Sequence, residues 1–119
     1  MKDTIMWWMS RLTIMLTSLF LSFALAAQAY AADITMGAGG NLVFEPNEIT
    51  INAGDTVTFT NGDLPPHNMV VEGHPELSHG DLAFSPGDSF DVTFPDAGDY
   101  NFQCDPHSGA GMRGVIHVQ

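Results

Sequence analysis

What constrains this chain most is a succession of short runs in which apolar and polar residues alternate, each closed by a turn-forming cluster. Ile34 and Met36 alternate with polar neighbours, as do Ile49 and Ile51, Val57 and Phe59, Phe90, Val92 and Phe94, Tyr100, Phe102 and Cys104, and finally Ile116 and Val118. Residues two apart share a face of an extended chain, so this pattern predicts strands with one face buried and one in water. Gly39-Gly40, Ala53-Gly54-Asp55, Asn61-Gly62-Asp63, Pro86-Gly87-Asp88 and Asp96-Ala97-Gly98-Asp99 separate them, and such clusters favour turns. Strands this short at this spacing predict an all-β domain, a β-sandwich or small barrel. Only Pro75 to Leu82 has helical character, enough for one or two turns.

The first 31 residues have a different composition and read as an address. Lys2 and Arg11 flank the start of an apolar run from Leu12 to Ala27, and Ala29-Tyr30-Ala31 offers a small-x-small cleavage site. That arrangement predicts a signal peptide over 1–31 and a single domain over 32–119. A membrane anchor is the rival reading, but the sixteen-residue run is shorter than the roughly 20 residues a bilayer core requires. The expected route is general secretion of an unfolded chain that acquires its cofactor after crossing. Cleavage after Ala31 leaves 88 residues; losing Lys2, Arg11 and Asp3 takes the formal charge from -11 to -12, with Arg113 the one remaining Lys or Arg.

Charge and cysteine count exclude several functions. Binding a phosphate backbone needs clustered Lys and Arg to release counterions, so no nucleic-acid partner is expected. One cysteine, Cys104, permits neither an internal disulfide framework nor a four-cysteine zinc site.

The chemistry concentrates near the C-terminus, in Cys104-Asp105-Pro106-His107-Ser108-Gly109-Ala110-Gly111-Met112 between the last two predicted strands. A thiol, an imidazole and a thioether at C-x2-H-x4-M spacing can converge when a short, glycine-rich loop folds back. His67, after Leu64-Pro65-Pro66 and at the start of another strand, is the candidate for a fourth donor. Taken singly, a strand-end cysteine is usually a small buried hydrophobe, a methionine is usually core, and a histidine is usually a surface or capping residue. Together, two histidines, a cysteine and a weak axial methionine form the ligand set of a blue-copper electron-transfer site. Zinc suits the same donors but has less use for the methionine. His74, His79 and His117 lack matching spacing, and His117 is expected to face water between Ile116 and Val118.

The segments Cys104 to Met112, Pro66-His67-Asn68 and Gly40-Asn-Leu42-Val-Phe44-Glu-Pro46 resemble plastocyanin, and Leu77-Ser78-His79 with Ser85-Pro86-Gly87 is similar to the cyanobacterial type. The resemblance spans nearly the whole of 32–119. It implies an eight-stranded Greek-key sandwich of cupredoxin type with one copper ion, Cu(I)/Cu(II), at one end. By motif position the family's ligands fall on His67, Cys104, His107 and Met112. It further implies a monomeric one-electron carrier, not an enzyme, in the thylakoid lumen. There it would be reduced by cytochrome f and oxidised by photosystem I in peripheral encounters with membrane complexes. Asn68 is then placed to cross-link the two ligand loops, and Leu42, Leu64 and Pro65 to extend an apolar docking face around His107.

Two departures bear on the partner reading. Plastocyanins commonly carry tyrosine just before the cysteine, where this chain has Gln103. Many cyanobacterial members carry arginine after the second ligand histidine, where this chain has Ser108 and places Arg113 beyond the methionine instead. The alternatives are another small blue-copper carrier, pseudoazurin-like or amicyanin-like, in a periplasmic respiratory chain, and a copper-delivery protein. Delivery favours methionine-rich exchangeable ligands, whereas only Met36, Met69 and Met112 follow residue 31.

Overall fold

The computed structural model describes residues 31–119; the signal peptide expected over 1–31 lies outside them except for Ala31. Nine strands occur among the described residues: β1 (Ala31–Met36), β2 (Phe44–Glu45), β3 (Glu48–Ile51), β4 (Thr56–Asn61), β5 (His67–Val71), β6 (His79–Ala83), β7 (Ser89–Thr93), β8 (Gly98–Gln103) and β9 (Arg113–Val118). They form a four-stranded sheet of order β2-β1-β4-β7 and a five-stranded sheet of order β3-β9-β8-β5-β6. Two neighbouring pairs, β1 with β4 and β3 with β9, run parallel, and the others antiparallel. The fold is an all-β cupredoxin sandwich.

Two expectations are corrected. The count is nine strands against the expected eight, because the chain changes sheets between β2 and β3. Pro46 lies at that break and has no N–H to give to a ladder, so β2 pairs with β1 while β3 pairs with β9. The helical segment expected from Pro75 to Leu82 is a single 3-10 turn, Pro75–Leu77, after which His79–Ala83 is strand β6. Pairing with β5 claims those residues for the sheet, Met69 opposite His79 and His67 opposite Ala83, with a shift of register between the two pairs. Two further 3-10 turns, Ala38–Gly40 and Asp105–Ala110, fall in glycine-containing loops that periodicity does not resolve.

The alternation places the core as the sequence predicts. Ile34, Met36, Ile51, Val57, Phe59, Val92, Phe94, Tyr100, Phe102, Cys104, Ile116 and Val118 all point inward between the sheets. Phe59 is the centre of an aromatic cluster. Its ring meets Phe44 at 6.4 Å and Phe102 at 5.8 Å edge-on, and stacks on Phe90 at 5.4 Å, the geometries aromatic quadrupoles prefer. The stack continues through His79, whose ring lies 3.9 Å from Phe90 and nearly parallel to it. It therefore joins β6, an edge of one sheet, to β7, an edge of the other.

His117 faces outward from β9 and ties together three strands. Its Nδ1 lies 2.6 Å from Asp99 Oδ1 on β8 and its Nε2 lies 2.7 Å from Glu48 Oε1 on β3. Only the imidazolium donates from both nitrogens. The hydrogen bonds to Asp99 first and Glu48 second therefore raise the His117 pKa above its ordinary 6.5. A raised folded-state pKa stabilises the fold fully below the unfolded value, and the contribution fades as pH rises through the folded one. The melting-temperature difference between the metal-free wild type and His117→Gln is expected to be largest near pH 5–6 and to shrink on the alkaline side. A difference that stays flat to pH 9 would remove the bridge as a stabilising element.

Candidate metal centre

Two loops at one end of the sandwich supply the site. Asn61-Gly62-Asp63-Leu64-Pro65-Pro66 leads into β5 and delivers His67 as its first residue. Proline at 65 and 66 stiffens the approach by fixing φ, and Leu64 turns the chain through a left-handed φ of 57°. The second loop runs from Cys104 at the end of β8 to Met112 ahead of β9. Pro106 lies in the first turn of its 3-10 segment and Gly111, at φ 87°, caps the end, a conformation that glycine tolerates without a Cβ penalty. The Cys104 N–H donates to Met112 O at 3.1 Å and the Met112 N–H to His107 O at 3.3 Å. These bonds fold the loop back so that its first and last residues adjoin.

The consequence is a cluster of donor atoms. One ligating atom each from His67, Cys104 and His107 lies within 4.8 Å of the others. Cys104 Sγ is 3.7 Å from His67 Nδ1 and 3.5 Å from His107 Nδ1. Bonds of about 2.0 Å to nitrogen and 2.3 Å to sulfur, opened to about 120°, separate the donors by roughly 3.7 Å, so these side chains have the spacing of ligands around one ion. His67 and Cys104 are fully buried. His67 Nε2 donates to the Asp63 carbonyl at 2.6 Å, which leaves the Nδ1 lone pair facing the sulfur. Met112 is also fully buried, set beside Cys104 and His107 by the backbone bonds just described.

Electrostatics favour neutral imidazole and penalise a free thiolate. Burial, and secondarily the neighbouring His67, lowers the His107 pKa, which favours the neutral ring with its free lone pair. Burial raises the Cys104 pKa above that of a free thiol; the backbone N–H groups of Asn68 and His107 work against it, and the Asp105 carboxylate adds to it. A deprotonated sulfur here calls for a cation, and cationic metal ions bind the thiolate rather than the thiol.

Around the donors lies a supporting layer. Asn68 Oδ1 accepts from the Asp105 N–H at 2.8 Å while its Nδ2 donates to Gly80 O at 3.0 Å, which cross-links the ligand loops as its position suggests. Gln103 Nε2 donates to Asp105 Oδ1 at 3.1 Å, so this residue braces the carboxylate next to the cysteine. Arg113 pairs with Gln103 across β8 and β9. With Glu72 and Asn101 it lines a surface cavity of about 220 Å³. Leu64 is 48% exposed, whereas Leu42 is half-buried and packs on the core. Among the described residues the most exposed large apolar one is Phe84, at 65%, which sequence reasoning missed. It follows β6 at the end where Ala83 pairs with His67, and no periodic pattern marks it. The amide donors of Asn68 and His107 were equally invisible, since backbone direction has no sequence signature.

A two-layer β-sandwich with a buried cysteine and two histidines converging at one end defines a small copper-binding protein of the cupredoxin class. Residues 31–119 match the family described as copper binding proteins, plastocyanin/azurin family. The chloroplastic plastocyanin of Tetradesmus obliquus is 45% identical over 106 residues, covering 82% of this chain and 73% of that protein. Among solved structures, a mutant fern plastocyanin superposes with a TM-score of 0.66 at 33% identity, covering 74% of this chain and all of the other. Amicyanin from Paracoccus versutus superposes at 0.60 with 28% identity, covering 81% and 88%. The chain belongs to the plastocyanin/azurin family of copper binding proteins, and its cofactor is copper. Its role is electron transfer.

Proposed function

We propose that His67, Cys104, His107 and Met112 hold a single copper ion, and that the chain is a soluble one-electron carrier between cytochrome f and photosystem I in the thylakoid lumen. The observation that carries this reading is the gathering of His67, Cys104 and His107 donor atoms within 4.8 Å of one another, with Met112 buried beside them. The likeness to the Tetradesmus obliquus protein, 45% identical and named a chloroplastic plastocyanin, supports the compartment, and the partners are those that the plastocyanin resemblance implies. Among the described residues no helix is long and apolar enough to cross a membrane. Bound to these donors, copper supplies a one-electron couple between Cu(I) and Cu(II).

The chain's own residues set the terms of that exchange. The buried thiol and His67 keep water from the site, while half-buried His107 is the ligand whose ring reaches the surface. The small residues Gly109, Ala110 and Gly111 beside it are exposed, which lets a partner approach the ring edge closely. Leu64 adds an exposed apolar contact on the other ligand loop. The net negative charge of the chain, -11, steers encounter toward a basic partner face, and that steering weakens as salt shortens the reach of charge to about 8 Å at physiological strength.

The test is flash-induced re-reduction of photosystem I particles by the reduced, copper-loaded protein. The expected result is a saturable second-order rate that falls as salt rises from about 10 to 200 mM, as screening predicts. Re-reduction no faster than with amicyanin at the same concentration would overturn the photosynthetic assignment and leave a carrier for a different chain.

A further inference from the structure

His67 depends on a crossing between its own ligand loop and a backbone segment, residues 36–40, that belongs to neither ligand loop. At the end of β1 the chain passes directly over the loop that leads to His67. Gly62 N–H donates to Met36 O at 2.8 Å, Asp63 N–H to Gly37 O at 2.9 Å, and Gly40 N–H to the Asp63 carboxylate at 3.0 Å. These bonds staple residues 36–40 to residues 62–63. Asp63 in turn takes the His67 Nε2–H on its backbone carbonyl at 2.6 Å.

Gly37 sits at the centre of this crossing with φ of 79°. A Cβ at that position would overlap the Asp63 carbonyl oxygen and stand 2.5 Å from His67 Nε2. It would therefore occupy the space in which the Asp63–His67 hydrogen bond forms. Gly62 faces the same crossing from the other side, where a Cβ would lie 3.1 Å from the carbonyl oxygens of both Gly37 and Met36. Left-handed φ alone does not explain this arrangement. Gly54 and Gly73 have φ of 91° and 73° with nothing within 4 Å of an added Cβ.

We propose that Gly37 is a positioning residue for His67: its missing side chain lets the Asp63 carbonyl capture Nε2–H and so aims Nδ1 at the Cys104 sulfur. The physical reason is that an imidazole has two chemically similar nitrogens, and the hydrogen bond made by one decides which is left to ligate. The proposal rests on His67 being a copper ligand.

The test compares Gly37→Ala with Gly54→Ala, which has the same kind of backbone strain and open space around it. In the metal-free wild type, the His67 ring N–H is expected to give a slowly exchanging proton resonance, retained in Gly54→Ala and lost in Gly37→Ala. Copper affinity is expected to fall about 10- to 100-fold in Gly37→Ala, the usual effect of losing a group that orients a ligand, and to stay within about twofold in Gly54→Ala. Should Gly37→Ala fail to fold, Gly62→Ala presses on the same crossing more gently and is expected to move both readouts in the same direction by a smaller amount. Retention of the ring proton and of full copper affinity in the folded variants overturns the proposal. His67→Ala separates the two claims. If it keeps wild-type copper affinity, the ligand assignment falls and takes the proposal with it. Loss of copper there, alongside unchanged binding in Gly37→Ala, overturns the positioning role alone.

Discussion

Replacing Cys104 by Ser is expected to abolish the intense visible absorption of the copper-loaded protein completely while leaving the sandwich folded. The absorption requires charge transfer from a thiolate to copper, and Cys104 is the one sulfhydryl in the chain. The substitution exchanges sulfur for oxygen at a fully buried position, so little volume is lost. A buried hydroxyl without a strong partner costs about 1–3 kcal/mol, and the amide groups of Asn68 and His107 that face the sulfur offer it partners. Visible absorption after copper loading, read beside far-ultraviolet circular dichroism, separates the two effects. A folded Cys104→Ser protein that keeps the wild-type band would show that the sulfur is not the source of the colour, and the site assignment would fail.

Phe59→Ala is expected to have the largest effect on stability, about 3–5 kcal/mol. The ring is fully buried and touches Phe44, Phe90 and Phe102, and stiff strands on both sides prevent those rings from collapsing into the vacated space. Small domains have total stabilities of about 5–15 kcal/mol, so the metal-free variant should lie close to its unfolding threshold. Copper should shift it back by mass action, because an ion that binds only the folded chain stabilises it. Phe84→Ala is the comparison. That side chain is 65% exposed, and its loss should change stability by no more than about 0.5 kcal/mol. Urea unfolding of the metal-free proteins measures both, and a cost below about 1.5 kcal/mol for Phe59→Ala would mean that the two sheets close over the gap.

Much of the fold was legible because a strand with one wet face has to alternate. The inward set from Ile34 to Val118 follows from period two, and the outward position of His117 follows from its buried neighbours Ile116 and Val118. Alternation does not say where a chain leaves one sheet for the other, so the break at Pro46 between β2 and β3 escaped it. Nor does it resolve a segment such as His79–Ala83, where glycine and mixed polarity blur the pattern and pairing with β5 decides the outcome.

The candidate site divides along the same line. The sequence by itself determined its chemistry: two imidazoles, one thiol and one thioether, three of them confined to a loop too short to spread apart. Which imidazole nitrogen faces the sulfur was a tertiary decision, made by the Asp63 carbonyl and by the bare α-carbon of Gly37 some thirty residues from His67. Burial of the thiol, and with it the raised Cys104 pKa, was likewise fixed only when the two sheets closed. Donor identity is a property of residues, which a sequence states outright. Donor direction is a property of backbones that cross, and a sequence does not record which ones do.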